Sequence, residues 1–213
     1  MRVAVWLPEL DATFIHIPKA GGTWVKAALA ASGLRCEPAG VAGDHQLPDA
    51  HRKAGKRFAF VRHPLTWLES AWRGLHTSWP NRRDVPPLHR ERTWSPIRNL
   101  TYLAGECDFN GFVETLLANQ PGFVTRMYEA YIGPPGYPRV DWVGRKESLA
   151  ADLQTILTGL GWRGSLAIVP PANEGPPGPA PAWHPVLQSR FLAAERPSVL
   201  RWYQESGPFE VTT

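Results

Sequence analysis

Cysteine is almost missing from this chain: Cys36 and Cys107 are the two among 213 residues, far apart and outside any Cys-x-x-Cys pair. Neither a disulfide framework nor a thiolate zinc site is suggested, and the expectation is a cytoplasmic protein of a reducing compartment. Long apolar runs are missing too. Nowhere do eighteen uncharged apolar residues follow one another, and the stretch before Pro8 and Glu9 is short, which argues against a membrane span and a signal peptide. No Gly-x-x-x-x-Gly-Lys-Ser/Thr pattern occurs, which disfavours an ordinary P-loop kinase. Nor is there a long run of one charge. The net charge of +4 and pI near 9.3 are spread along the chain, so an anionic ligand fits while nucleic-acid binding is not expected.

What is present is a globular composition, with 43% hydrophobic and 20% charged residues, enriched in tryptophan (10), proline (22) and glycine (19). The length suits one domain over residues 1–213. Thr13 to Ile17 reads as a strand, then a Gly-containing turn, then an alanine-rich helix over Trp24 to Ala31. Phe58 to Val61 repeats that order, with Pro64 suited to the first turn of the next helix. Residues 79–105 lack periodicity and read as an insertion or lid. Asp108 is an N-cap candidate for Phe109 to Ala118, Val140 to Val143 and Leu166 to Val169 are candidate strands, and Glu147 to Leu160 is a candidate amphipathic helix. A Pro/Gly-rich loop at 170–185 precedes two helices, Val186 to Ala194 and Ser198 to Glu205. Alternating strands and helices predict an α/β fold on a mainly parallel sheet.

The chemistry concentrates at the two strand-to-helix turns. Free N–H groups and the positive end of the helix dipole favour an anion at such a turn. In the first, Lys19 adds a full charge, Gly21 and Gly22 admit a phosphate close to the backbone, and Thr23 and Trp24 follow on the helix. In the second, Arg62 offers a planar fork to phosphate oxygens, and Ser70 lies nearly two turns into the helix behind it.

His16-Ile17-Pro18-Lys19-Ala20-Gly21-Gly22-Thr23-Trp24 resembles the 5′-phosphosulfate loop of the sulfotransferase family, where Thr or Ser is commoner at the position of Ala20. Phe58-Ala59-Phe60-Val61-Arg62-His63-Pro64 with Ser70 is similar to that family's 3′-phosphate motif, in which an Arg ending a strand and a Ser eight residues later contact the 3′-phosphate. Trp142-Val143-Gly144-Arg145-Lys146-Glu147 resembles the Val-Gly-Arg-Phe-Glu segment of carbohydrate and bacterial members, with Lys146 in place of the aromatic. The resemblance implies a P-loop-like sulfotransferase fold and 3′-phosphoadenosine 5′-phosphosulfate (PAPS) as co-substrate. It further implies adenosine 3′,5′-bisphosphate (PAP) as product, and a nucleotide site of Lys19, Ala20, Gly21, Gly22, Thr23, Trp24, Arg62, Ser70 and Arg145.

Sulfuryl transfer asks for in-line geometry and for stabilisation of charge growing on the leaving oxygen, the role the resemblance implies for Lys19. An acceptor hydroxyl also needs a base. His45, in Gly43-Asp44-His45-Gln46 between the two turns, is the candidate, since related carbohydrate sulfotransferases often carry a catalytic histidine ahead of the second strand. His51 and His16 are its competitors, and the acceptor is expected to be a small-molecule or carbohydrate hydroxyl. Trp79 and Trp94, among Arg82, Arg83, Arg90 and Arg92, are candidates for the acceptor side, while Trp67 and Trp72 read as core. Two other readings share the anion-binding turn. One is a P-loop-type nucleotide-dependent phosphotransferase, which the place of Lys19 before the glycines disfavours; the other is a non-catalytic module for sulfated or phosphorylated ligands.

Overall fold

The computed structural model describes residues 4–39, 55–78, 100, 108–171, 181–204 and 209–210. Its sheet contains β1 (Ala4–Leu7), β2 (Ala12–Ile15), β3 (Glu37–Ala39), β4 (Lys56–Val61), β5 (Trp142–Arg145) and β6 (Phe209–Glu210), in the order β3-β1-β2-β4-β5-β6. All four residues of β2 and the last four of β4 are buried. Successive strand residues face opposite sides, so helices and loops cover both faces there.

The sheet is mixed rather than mainly parallel. β2–β4 and β4–β5 pair parallel, whereas β1–β2, β1–β3 and β5–β6 pair antiparallel. The cause is β1, a strand absent from the sequence reading, which inserts between β2 and β3 and runs against both. β3 therefore points the same way as β2, β4 and β5. Four strands end at one edge of the sheet, the edge at which open α/β sheets place their ligands.

Seven helices flank this frame among the described residues: α1 (Gly22–Ala31), α2 (Pro64–Ser78), α3 (Phe109–Asn119), α4 (Phe123–Ile132), α5 (Leu149–Gly159), α6 (Pro185–Ala194) and α7 (Arg196–Trp202). Asp108 caps α3, its carboxylate accepting from the Gly111 N–H at 2.8 Å, a contact commonly worth about 1 kcal/mol. Trp67 and Trp72 of α2 are buried, as a core role requires. Trp72 packs its ring on Phe109 and Phe112 of α3. Pro197 lies in the first turn of α7 rather than between two helices.

Two local readings need correction. Leu166 to Val169 forms no strand, because the Leu166 and Ala167 N–H groups are taken by side chains, Gln154 Oε1 at 2.8 Å and Ser32 Oγ at 2.9 Å. The candidate strand at Val140 begins instead at Trp142, where pairing with Phe58 starts.

Helix α4 was not expected, and its N-terminus explains why. Gly122 enters in the left-handed conformation without a side-chain cap. The cap comes from Glu195, fully buried and distant in sequence, whose carboxylate accepts from Val124 N (3.0 Å), Thr125 N (2.8 Å) and Thr125 Oγ1 (2.7 Å). Burial pushes the Glu195 carboxyl up, and the Thr125 and Val124 donors pull against that shift.

Candidate functional site

The register of the three parallel strands brings the site together. Ile15 pairs with Ala59 and Val61 with Arg145, so the turn after β2, the turn after β4 and the end of β5 lie along one edge. Neighbouring strands are about 4.8 Å apart, which places the first two turns side by side.

In the first turn, Lys19 takes a left-handed backbone with φ 63°, and Gly21, the N-cap of α1, takes φ 87°. Left-handed geometry is unfavourable for a residue with a Cβ, and such strain gathers at functional sites. Gly22 is required by space: a Cβ there would sit 2.1 Å from the His16 ring. His16 is itself buried, as a structural role implies, and Ala20 is packed into the core. Thr23 is exposed on the first turn of α1. Trp24 is half-buried, its indole N–H held by the Val169 carbonyl at 3.3 Å.

The second turn is tied to the first by two side chains. Arg62 directs Nη1 to the Lys19 carbonyl at 3.4 Å and Nε to Thr66 Oγ1 at 3.1 Å. Trp67 Nε1 donates to the Pro18 carbonyl at 2.9 Å within the core. Thr66, Ser70 and Gly74 follow one another at four-residue spacing and so share one face of α2. Thr66 holds Arg62 at one end of that face, and the Lys19 ammonium lies against Gly74 at the other. Ser70 stands between them. The structure thus brings together Lys19, Arg62 and the face of α2 that carries Ser70, with Gly21 and Gly22 at the start of α1 beside them.

Burial lowers the pKa of the Arg62 guanidinium, opposed chiefly by Glu147, yet arginine keeps its proton in proteins. Its backbone is clamped by Tyr128, whose hydroxyl accepts from the Arg62 N–H at 3.0 Å and donates to the Arg62 carbonyl. Burial drives the Tyr128 phenol far above its ordinary value, so the donated proton is always present. Glu147 braces the same turn, accepting from His63 N at 2.9 Å and Tyr203 OH at 3.2 Å. Tyr128→Phe is expected to lower stability by about 1–3 kcal/mol, since two backbone groups lose their partner at once. Urea unfolding measures it, and a variant with wild-type stability would show that water replaces the clamp.

Arg145 reaches the same edge but is already engaged. Its N–H donates to Asp152 Oδ2 at 2.7 Å, and its Nε lies 4.0 Å from that oxygen, with Asp152 buried. Lys146 lies beside the first turn: its Cγ would be 3.5 Å from a Cβ on Gly21. His45 and His51 lie outside the described residues, as do Trp79 and Trp94 with their neighbouring arginines, 79–99 and 101–105 of the candidate lid, and 172–180 of the Pro/Gly-rich loop. The chain does leave β3 at Ala39, paired with Ala4, on the edge that carries Lys19. Tyr128 and Gly74 are contributors that motif reading missed, and Glu147 stood in the third motif without a role, because each acts through a neighbour distant in sequence. Comparison of the chain with protein-family models, with curated proteins and with solved structures finds no match.

Proposed function

We propose that this chain transfers the sulfuryl group of PAPS to a hydroxyl acceptor. The observation that carries the reading is the joining of the two turns, through Arg62 to the Lys19 carbonyl and Trp67 to the Pro18 carbonyl. A donor bearing a phosphosulfate at one end and a 3′-phosphate at the other needs two separate sets of cationic and N–H donors at a fixed spacing. The described residues fit it: Lys19, Gly21 and Gly22 at the start of α1 for the phosphosulfate, Arg62 and Ser70 for the 3′-phosphate, and the Trp24 face beside them.

In the reaction, the acceptor oxygen forms a bond to sulfur while the bond from sulfur to the 5′-phosphate oxygen breaks. The electron pair stays on that oxygen, beside the Lys19 ammonium, and PAP leaves. The acceptor proton passes to a base, the role assigned to His45. The acceptor is a small-molecule or carbohydrate hydroxyl.

The test is nucleotide discrimination. PAP is expected to bind more tightly than AMP, because Arg62 and Ser70 serve only the 3′-phosphate, and Arg62→Ala should weaken PAP binding by at least about tenfold. Calorimetry with equal affinities for the two nucleotides would sink the assignment.

A further inference from the structure

We infer that Gly74 is a positioning residue for the Lys19 ammonium, an inference that rests on the sulfuryl-transfer reading of this site. Glycine in the middle of a fifteen-residue helix calls for a reason, since it costs about 1 kcal/mol relative to alanine. The reason is the approach of Lys19: a Cβ on Gly74 would lie 2.6 Å from Nζ and 3.3 Å from Cε, and among the described residues nothing else outside the helix itself comes within 4 Å. The backbone of α2 is therefore bare where the lysine's charged end approaches it.

Three observations converge on the same lysine. Its backbone is left-handed, the Arg62 guanidinium holds its carbonyl, and Gly74 receives its ammonium one helical turn beyond Ser70. A methyl at Gly74 meets only the end of a flexible side chain. The fold has no need to adjust; the ammonium moves instead, by roughly 1 Å, to reach ordinary van der Waals distance. A displacement of that size can cost about 10²-fold when the group must face a reacting bond.

Gly74→Ala separates positioning from structure. The expected result is unchanged or raised thermal stability, a retained preference for PAP over AMP, and a fall of about tenfold or more in PAP release from PAPS. Release is measured against a panel of phenol, sugar and alcohol acceptors. Wild-type release rates in the variant would overturn the inference, and so would a lowered melting temperature, which would make Gly74 a packing residue. A wild-type chain that binds PAP no better than AMP and releases none from PAPS would overturn the sulfuryl-transfer reading itself. Only the variant's behaviour in an active enzyme bears on Gly74.

Discussion

Lys19→Ala is expected to lose both nucleotide affinity and turnover, whereas His45→Ala should bind nucleotide nearly normally and lose turnover by roughly 10²- to 10⁴-fold, the span usual for a general base. The two differ because they serve opposite ends of the transferring sulfur. In the proposed reaction Lys19 faces the leaving oxygen and contacts the donor before and during transfer, so its removal should weaken the ground state as well as the transition state. Loss of a preorganised group of that kind costs about 10²–10³ in rate. The role proposed for His45 involves only the acceptor proton. Nucleotide titration and single-turnover rates on both variants distinguish the roles, and a His45→Ala enzyme as fast as wild type would move the base to His51 or a carboxylate.

The largest expected loss of stability belongs to a residue outside the two strand-to-helix turns. Glu195→Ala should destabilise the protein by roughly 3 kcal/mol or more, because three donors at the start of α4 lose a buried acceptor in one step and water cannot replace it in the core. The effect should reach the site, since α4 carries Tyr128 and Tyr128 clamps Arg62. Denaturant unfolding gives the first part and PAP affinity the second. If Glu195→Ala unfolds at the wild-type midpoint, the carboxylate is not what anchors α4.

The site-bearing units were legible because their signals are local. An apolar run, a glycine or arginine at its end and a helix-compatible segment fall within about twenty residues in both cases, and the structure forms both as strand, turn and helix. Trp67 and Trp72 followed from helix periodicity for the same reason. What was not legible depends on partners far along the chain. β1 is four residues ending at a proline-led turn, and its identity as a strand is settled by pairing on both sides. Helix α4 has no cap in its own sequence and borrows one from Glu195. Leu166 to Val169 has strand-like composition, yet Gln154 and Ser32 satisfy its N–H groups and no ladder is needed. Gly74 carries no local signal either, because the side chain that needs its bare backbone is that of Lys19, far along the chain.

The insertion of β1 also decides where the chain can go next. Because β1 reverses direction twice over, β3 runs with β2 and delivers the chain at Ala39 to the same edge as Lys19, two strands away. His45 follows six residues later, and six residues span at most about 20 Å when fully extended. The strand order alone thus starts that leash at the end of the sheet that carries Lys19. Had β3 run the other way, the leash would begin at the opposite end of the sheet, and most of its length would be spent in the return.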